Sequence, residues 1–374
     1  MIRLLNVTMA TDVDSFVSPV LHSGFIGEGK QVADFEAKIA EFLGVEPWQV
    51  VTVNSGTSAL QLSLRLSGVE YGDQVISTPM TCSATNTAIL AQGGRPIWCD
   101  VEPKTGNLSP AVLRQLLSRD TSDSIKAVVA VHWGGRPCDI DEIDEICDHE
   151  GLYFIEDAAQ AFGAYASNRP IGNNTSDFTC FSFQAIKTLT TGDGGAIVLR
   201  DPDLARRARL LRWFGLDRCG STKLRCLQDP AEAGYKYHMN NIAAAIGLAN
   251  IRFTRQVLNR LADIASRYDE AFQGFSHIEV PPSDNDLVSS NWLYTVLVDD
   301  QDAFIASLET RGVEACRVHT RNDNKTIFAG SAAIRLPGVT YFDEHHVCIP
   351  IGAWLTDDGV STVIKAVTDY ENGV

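Results

Sequence analysis

The chain has 374 residues, of which 45% are hydrophobic and 21% charged, a composition typical of a soluble globular protein of about two domains. Its formal net charge of −16 comes from 47 acidic and 31 basic residues, and this excess disfavours nucleic acids and anionic membranes as partners through long-range repulsion. Nine cysteines without CxxC pairs or metal-like spacing favour reduced thiols over a disulfide framework, and they indicate no metal site.

The first predicted element is a helix over residues 31–44. In QVADFEAKIAEFLG, the apolar residues Val32, Phe35, Ile39 and Phe42 recur at helical spacing. Gly44 can end this helix, because glycine readily adopts the left-handed conformation that follows a last helical turn.

Seven short apolar runs follow, separated by helix-like stretches except for a Gly-rich link between the last two. The runs are VVTV (50–53), VIST (75–78), PIWC (96–99), AVVAV (127–131), YFI (153–155), TCFSF (179–183) and AIVL (196–199). Strands that are apolar on both faces and alternate with helices indicate an α/β fold with a mostly parallel, seven-stranded sheet. The Gly-rich link allows the last strand to be antiparallel.

From about Asn240 the sequence pattern changes. Long amphipathic stretches (242–273) lead into NWLYTVLV, which is typical of a strand, and DAFIASLETRG, which is typical of a helix. TDDGVSTVIKAV predicts a closing helix. We therefore predict a large domain over residues 1–240 and a smaller C-terminal α+β domain over residues 241–374.

The stretch VTVNSGTSALQLSLRL predicts a strand that ends near Asn54 and a helix that begins near Thr57. Small residues at this turn leave the first backbone N–H groups of the helix open, and Thr57 adds a hydroxyl. Such a helix N-terminus can bind a phosphate. Taken alone, the pattern is explained better by Ser55 or Thr57 capping the helix.

The stretch YFIEDAAQAFGA places two carboxylates, Glu156 and Asp157, directly after an apolar strand. Ligands of open α/β sheets bind at the carboxyl ends of strands. Because side chains alternate along a strand, the two carboxylates are expected to face different ways, and only one needs to enter a site. The alternative is that Asp157 simply caps a helix formed by AAQAFGA.

The stretch CFSFQAIKTLTTGDGGAIVL places Lys187 in a turn between two apolar runs. The threonines and glycines from 188 to 195 allow close approach of the backbone. Most lysines in loops are simply exposed to solvent, and that alternative applies here too. Together, however, a phosphate-binding turn, a strand-end acid and a lysine in an apolar setting are what pyridoxal phosphate (PLP) requires. The lysine condenses with its aldehyde, and the acid keeps its pyridine nitrogen protonated.

At these residues the chain resembles the DegT/DnrJ/EryC1/StrS family of PLP-dependent sugar aminotransferases, which share the aspartate aminotransferase fold (fold type I). The resemblance covers nearly the whole chain. The matching segments are SGFIGEGKQVADFE, NSGTSAL, GDQVISTPMT, IEDAAQAFGA, FSFQAIKTLTTGDGG, GYKYHMNNIAAAIG and IPIGAWLTDDGV.

The resemblance implies a role for individual residues of the cofactor site. Lys187 is the catalytic residue that condenses with the cofactor, Asp157 pairs with the pyridine nitrogen, and Gln160 neighbours the ring hydroxyl. The phosphate ligands that it implies are Gly56, Thr57 and Ser182.

Two departures from the family pattern concern the cofactor. The segment GYKYHMNN resembles the stretch that reaches into the partner subunit's site, but Lys236 stands where relatives usually have asparagine. The cross-subunit phosphate contact is therefore assigned to Lys236 or to nearby Asn240. Cys82 stands where relatives often carry an aromatic residue stacked on the cofactor ring, and Trp133 is a candidate substitute.

Substrate contacts are assigned from the resemblance and from charge. His319 falls where relatives carry a histidine close to the substrate. An anionic nucleotide sugar bound to an acidic protein also needs local cations, although most basic side chains lie on solvated surfaces. The candidates are Arg212, Arg218, Lys223, Arg225, Arg317 and Arg321.

The activity that the resemblance implies is transfer of an amino group from glutamate to a nucleotide-linked keto-deoxysugar, favouring a 4-keto-6-deoxy sugar. The product would be a nucleotide aminosugar for polysaccharide or O-antigen biosynthesis. Three alternatives stay open: a 3-keto sugar acceptor, a cyclitol ketone acceptor, and a non-catalytic PLP-binding regulator. Ping-pong kinetics are expected of a transaminase that alternates between two substrates.

The sequence also carries expectations about assembly and cellular location. The resemblance implies a homodimer with shared active sites. The segment MIRLLNVTMATDVDSF lacks the apolar core of a signal peptide, and no apolar run of the sequence reaches membrane-spanning length. We therefore expect a cytoplasmic protein.

Overall fold

The computed structural model describes residues 1–119, 124–218, 227–282, 286–330 and 335–373. Its strands are, in chain order, β1 (Val50–Val53), β2 (Gln74–Ser77), β3 (Arg95–Trp98), β4 (Ile125–Val131), β5 (Tyr153–Asp157), β6 (Tyr165–Ala166), β7 (Arg169–Pro170), β8 (Phe178–Ser182), β9 (Gly195–Leu199), β10 (Ile278–Glu279), β11 (Leu287–Val288), β12 (Tyr294–Val298) and β13 (His346–Ile349).

The helices are α1 (Val13–Leu21), α2 (Lys30–Leu43), α3 (Gly56–Leu66), α4 (Ser83–Ala91), α5 (Pro110–Leu117), α6 (Ile140–Glu150), α7 (Pro202–Leu211), α8 (Asn241–Ile251), α9 (Thr254–Phe272), α10 (Gln301–Thr310), α11 (Pro337–His345) and α12 (Asp357–Glu371). Short 3-10 helices cover Pro47–Gln49, Trp133–Gly135 and Thr326–Phe328. Among the described residues, no helix is both long enough and apolar enough to cross a bilayer.

The central sheet has seven strands in the order β1-β9-β8-β5-β4-β2-β3. The pairs from β3 across to β8 are parallel, whereas β9 runs antiparallel to both of its neighbours. The predicted mostly parallel, seven-stranded sheet is therefore confirmed. The Gly-rich link does lead into an antiparallel strand, so the loop between β8 and β9 turns back as a hairpin.

Helices cover both faces of this sheet, because the strands are apolar on both sides. Val50 packs into one core with helices α2, α6 and α8, and its neighbour Val51 packs into a second core with α3, α4 and α7. Val128 and Val129 divide between the two cores in the same way. The helix predicted over 31–44 is α2, and Gly44 follows it with a left-handed φ of 71°.

The C-terminal part has its own antiparallel sheet, in the order β10-β12-β13. A third apolar core packs α9, α10 and α12 against this sheet. The strand predicted at NWLYTVLV is β12, and the two helices predicted after it are α10 and α12. A further small sheet joins β11 to the hairpin β6-β7.

The division into residues 1–240 and 241–374 stays a prediction. Helix α8 packs on α1 and α2, and its Ala244 belongs to the core of the large sheet. The following helix, α9, contributes Leu261 and Ile264 to the C-terminal core.

Candidate active site

The two neighbouring carboxylates of β5 bond to different groups, as the alternation of side chains requires. Asp157 accepts a hydrogen bond from the Thr85 hydroxyl (2.6 Å) and one from the backbone N–H of Ala159 (3.2 Å). The segment AAQAFGA forms turns, so Asp157 does not cap a helix there. Asp157 is the last residue of β5, and it lies at the same edge of the sheet as the carboxyl ends of β1 and β8.

Glu156 is fully buried at the centre of a polar cluster on the other side of β5. It accepts hydrogen bonds from the hydroxyls of Ser176 (2.5 Å) and Thr179 (2.9 Å) and from the side-chain amide of Asn174 (3.0 Å). His132 lies 2.8 Å from the same carboxylate. Because the backbone N–H of Cys138 donates to Nδ1 of His132, the Nε2–H of that ring is the donor to Glu156.

Glu156→Gln is expected to lower the free energy of unfolding without changing the turnover of the enzyme that remains folded. Every group around Glu156 donates, so the new amide nitrogen would face donors. Each donor left unpaired costs about 1–3 kcal/mol. Urea unfolding at pH 7 measures the loss, with the exposed Glu150→Gln as the matched control. Equal unfolding free energies for the two variants would contradict the structural role of Glu156.

The same substitution also changes the acid side of the stability profile. Burial acts to raise the pKa of Glu156, but hydrogen bonds from His132, Ser176 and Thr179 outweigh it and lower the pKa. The stabilisation is therefore complete above the usual pKa of 4.5 and is lost as the pH falls through the lower pKa of the folded state. The glutamine variant should lack this acid-dependent loss.

Lys187 lies in the hairpin loop 183–194, whose ends are closed by the pairing of Ser182 with Gly195. Its Nζ lies 3.6 Å from the ring centroid of Trp292. Although the residue is only half-buried, burial lowers the pKa of its amine to about 8, while the charges of Asp157 and Cys82 act in the opposite direction. These two residues are thus close enough to influence the lysine electrostatically.

The turn before α3 meets the end of β8 so closely that only glycine fits there. A Cβ added to Gly56 would lie 2.7 Å from Cβ of Ser182, and one added to Gly195 would lie 2.6 Å from the backbone of Ser55. The Ser55 hydroxyl caps the helix by accepting from the N–H of Ser58 (3.0 Å). The capping alternative therefore holds for Ser55, while the first-turn N–H groups of Gly56 and Thr57 have no acceptor within the helix.

This turn fits the phosphate of PLP in its chemistry. Gly56 and Thr57 offer backbone N–H groups at a helix N-terminus, and Thr57 and Ser182 offer hydroxyls. A side chain at position 56 would fill the space beside Ser182. The donors, the strand-end acid Asp157 and the amine of Lys187 are the groups that this cofactor needs.

Gln160 and His319 are also in contact. The Gln160 side-chain oxygen accepts from the N–H of Gly134 (2.7 Å), so its Nε2 is the donor toward Nε2 of His319 (3.3 Å). Burial and, to a smaller extent, the positive charge of Lys187 lower the pKa of His319 to about 4. His319 is therefore neutral at pH 7 and can accept this hydrogen bond.

Trp133 lies beside His319 but is only 3% exposed. Its ring packs edge-to-face with Phe342 and His346, and its indole N–H donates to the hydroxyl of Thr295 (3.2 Å). Cys82 is exposed and precedes α4. The hypothesis that Trp133 replaces the aromatic ring missing at Cys82 stays a prediction.

The basic candidates for binding a nucleotide sugar have different surroundings. Arg212 is buried, not on the surface, and its guanidinium lies 2.6 Å from both Glu28 and Glu36. Its charge is therefore neutralised within the protein and is not offered to a nucleotide sugar. Arg218 also pairs with Glu28 (3.0 Å). Lys223 and Arg225 lie outside the described residues.

The other two arginines lie in the segment after α10. Arg321 makes a two-pronged ion pair with Asp323 (2.8 and 2.7 Å). Arg317 donates to the side-chain oxygen of Gln301 (3.2 Å) and lies 3.7 Å from Asp302. Both therefore have acceptors within the chain, and Arg317 as a substrate contact stays a prediction.

Lys236 and Asn240 are both exposed, as residues that reach another subunit would be. The side-chain oxygen of Asn240 caps α8 by accepting from the N–H groups of Ile242 (3.0 Å) and Ala243 (2.9 Å). Its side-chain NH₂ and the ammonium of Lys236 are the groups that could bind a phosphate. Which of them does so stays a prediction.

Sequence reasoning missed three residues of the site: Thr85, Trp292 and Lys325. Thr85 follows the end of β2, a position that could have been recognised because β2 and β5 end at the same edge. Trp292 lies in the apolar run NWLYTVLV, which indicates a strand and gives no signal for a site residue. Lys325 donates to the hydroxyl of Ser83 (2.7 Å), next to Cys82, and nothing in the sequence links segments so far apart.

Comparison with known proteins places these features in a family. Residues 8–368 match the model of the DegT/DnrJ/EryC1/StrS aminotransferase family. The spore coat polysaccharide biosynthesis protein SpsC of Bacillus subtilis is 32% identical over 96% of this chain and 94% of its own length. The dTDP-4-dehydro-2,3,6-trideoxy-D-glucose 4-aminotransferase of Saccharopolyspora spinosa is 31% identical over 97% of this chain and 95% of its own length.

Solved structures give the same result. The sugar aminotransferase CalS13 from Micromonospora echinospora superposes with a TM-score of 0.92 and 36% identity, covering 99% of this chain and 100% of its own. AtS13 from Actinomadura melliaura has a TM-score of 0.92 and 38% identity, covering 99% of this chain and 98% of its own.

Proposed function

We propose a specific reaction for this chain, which belongs to the DegT/DnrJ/EryC1/StrS family and is a PLP-dependent aminotransferase of fold type I. It moves an amino group from glutamate to a nucleotide-linked keto-deoxysugar. A 4-keto-6-deoxy sugar is the favoured acceptor, and a nucleotide aminosugar is the product. The names of relatives support a sugar acceptor, including the GDP-perosamine synthase of Caulobacter vibrioides, 32% identical over 91% of this chain and 90% of its own. A cytoplasmic role in polysaccharide biosynthesis belongs to the same proposal.

The observation that carries the proposal is that Lys187, Asp157 and the contact of Gly56 with Ser182 converge at one edge of the sheet. When bound, PLP supplies an aldehyde that captures amino groups and a ring that accepts electrons. Gly56, Thr57 and Ser182 hold its phosphate, and Asp157 holds a proton on the ring nitrogen. Because Thr85 donates to Asp157, it fixes the direction of that carboxylate.

Lys187 is the general base once its amine is free. With a pKa of about 8, roughly a tenth of this amine is neutral at pH 7, whereas roughly one in 3,000 would be neutral at the usual pKa of 10.5. The neutral amine can take the proton from the α-carbon of the donor and return it on the cofactor side. Gln160 positions the neighbouring His319 for a substrate contact.

The proposed function is tested by following the two half-reactions separately. Glutamate alone should change the visible absorbance of the holoenzyme, because the cofactor takes up the amino group. A panel of nucleotide 4-keto sugars, nucleotide 3-keto sugars and inososes should then restore the absorbance only with its true acceptor. Restoration by a 3-keto sugar or by an inosose would instead support one of the two other acceptors. The regulator hypothesis is not retained for a chain of this family.

Lys325 is proposed to bind an acidic group of one substrate, either a donor carboxylate or a phosphate of the nucleotide. Within the described part of the chain its ammonium pairs with no carboxylate, and its partner is the neutral hydroxyl of Ser83. Lys325→Met keeps the aliphatic stem and removes the charge. We expect the KM of one substrate to rise roughly tenfold or more, with little change in kcat.

Steady-state kinetics that vary glutamate and the sugar separately show which KM changes. The exposed Lys365→Met on α12 is the matched control. If both KM values of Lys325→Met equal those of the control, Lys325 does not bind substrate.

A homodimer with shared active sites is also proposed. Leu21, Phe25 and Ile26 expose large apolar surfaces, with Phe25 54% accessible. The backbone of Phe25 and Ile26 accepts hydrogen bonds from Asn241, so this apolar patch adjoins the segment predicted to reach the partner. In the proposed dimer a second copy of the chain covers this patch, and the segment beside the patch reaches the active site of that second copy.

Subunit mixing tests this arrangement. One inactive variant is Lys187→Ala. The other combines Lys236→Ala with Asn240→Asp, which keeps the oxygen that caps α8 but removes the amide donor. Unfolding and refolding the two together should give activity well above the mean of the separate variants, because each mixed dimer contains one complete site. No gain on mixing would contradict shared sites.

A further inference from the structure

Trp292 contacts the amine of Lys187 directly, and no other role in the site has been assigned to it. The amine lies 3.6 Å from the centroid of the indole ring, over its face. The indole N–H donates to the backbone oxygen of Ile186 (2.8 Å), the residue before the lysine. Because Trp292 is only 5% exposed, the ring has a fixed place beside the amine.

The backbone around Trp292 is tied to the region of Gln160. The Ser290 hydroxyl donates to the backbone oxygen of Gln160 (2.8 Å), and the N–H groups of Ser290 and Leu293 donate to the oxygens of Gly135 and Gly134 (both 3.0 Å). A Cβ on Gly135 would lie 2.1 Å from the Ser290 hydroxyl, so the two segments touch. The ring is therefore positioned by both sides of the site.

The turn that precedes the ring has an uncommon backbone conformation. Asn291 adopts a positive φ of 53°, a conformation that few residues other than glycine adopt and that asparagine tolerates best. Its N–H donates to the hydroxyl of Ser289 (3.0 Å).

An indole face has two opposite effects on an amine. As an apolar surface it excludes water and disfavours the charged form. As the negative face of a ring quadrupole it attracts an ammonium group, by an amount that corresponds to roughly a twofold to thirtyfold change in the protonation constant. Only the second effect depends on an aromatic ring, so substitutions can separate the two.

We propose that Trp292 is a positioning residue that holds the ammonium form of Lys187 against its ring whenever the lysine is not joined to the cofactor. The released amine then stays at the site instead of turning toward solvent. This inference rests on the proposed role of Lys187 as the residue that condenses with PLP.

The experiment uses the amino form of the holoenzyme, prepared with the amino donor, in which Lys187 is free. Brief pulses of acetic anhydride across pH 6–10, followed by peptide mass spectrometry, give the pKa of Lys187 from its rate of acetylation. Trp292→Phe keeps a weaker aromatic face, and Trp292→Leu keeps an apolar side chain without one. Trp48→Phe on the exposed surface is the control.

We expect the pKa of Lys187 to fall in the order wild type, Trp292→Phe, Trp292→Leu, with the leucine variant acetylated several-fold faster at pH 7. Water entering the smaller leucine site would raise the pKa, so the sign of the change is diagnostic. An unchanged or raised pKa in both variants would overturn the inference. If the leucine variant does not fold, the phenylalanine variant decides alone.

A second measurement distinguishes failure of the proposed role of Trp292 from failure of the proposed role of Lys187. Borohydride reduction of the wild-type holoenzyme and peptide mapping show independently whether the cofactor is joined to Lys187. A tag on Lys187 together with unchanged pKa values would remove the role of Trp292 and leave the proposed function intact. A tag on another residue would remove both.

Discussion

Replacing Lys187 by alanine is expected to reduce turnover by at least roughly 10²–10⁴-fold, which is the usual contribution of a general base alone. The loss should be larger still, because the same amine is proposed to join the cofactor covalently. Lys187 lies in a loop and makes no ion pair with the described residues. The fold should therefore survive, and single-turnover assays can measure the chemical step.

The matched control is Lys365→Ala, which removes an exposed lysine on α12 and should leave activity unchanged. The borohydride tag should be found on Lys187 in the wild type and should be absent from the alanine variant. An alanine variant that retains the tag, or that turns over at the wild-type rate, would show that another residue joins the cofactor.

The second large effect is expected from Asp157→Asn. The amide has nearly the shape of the carboxylate and can still accept from the N–H of Ala159, but it cannot hold a proton on the pyridine nitrogen. Without that proton the ring is a poorer electron acceptor. Removing a preorganised electrostatic group of this kind typically costs about 10²–10³ in kcat.

Glu156→Gln is an informative comparison for Asp157→Asn, since each replaces a β5 carboxylate by its amide. The aspartate variant should lose kcat and retain stability, whereas the glutamate variant should lose stability and retain kcat. Unfolding curves and single-turnover rates for both proteins test this division. Equal kinetic losses in the two variants would show that Asp157 has no special role at the cofactor.

Much of the fold could be predicted because its signals are local. The strands around Val51 and Val129 are apolar on both faces, and that pattern alone indicates a sheet covered on both sides. Asp157 could be singled out because it closely follows a strand-like run, and Lys187 because it lies in a turn between two apolar runs. Gly56 could be assigned to the turn because a small residue is needed there.

Other parts of the site depend on contacts between distant segments. Thr85 reaches Asp157 across 72 positions, and Lys325 reaches Ser83 across 242. The first pairing follows from the strand order, which places the ends of β2 and β5 at one edge of the sheet. No periodicity or spacing encodes the second pairing, since it arises only when the C-terminal segment packs over the large sheet. From the sequence, Arg212 is expected to be exposed, as most arginines are. The structure shows that it is buried and that the carboxylates of Glu28 and Glu36 compensate its charge.

The hairpin that carries Lys187 has a consequence for redesign. Residues 183–194 leave and re-enter the sheet on adjacent strands, with Ser182 paired to Gly195. A replacement loop from a relative has to match this strand spacing at its two ends and also has to offer the backbone oxygens of Ile186 and Thr190, which accept from Trp292 and Asn250 (both 2.8 Å). A loop of different length or path would leave these two donors without acceptors and would remove the buried Leu189 from the apolar core.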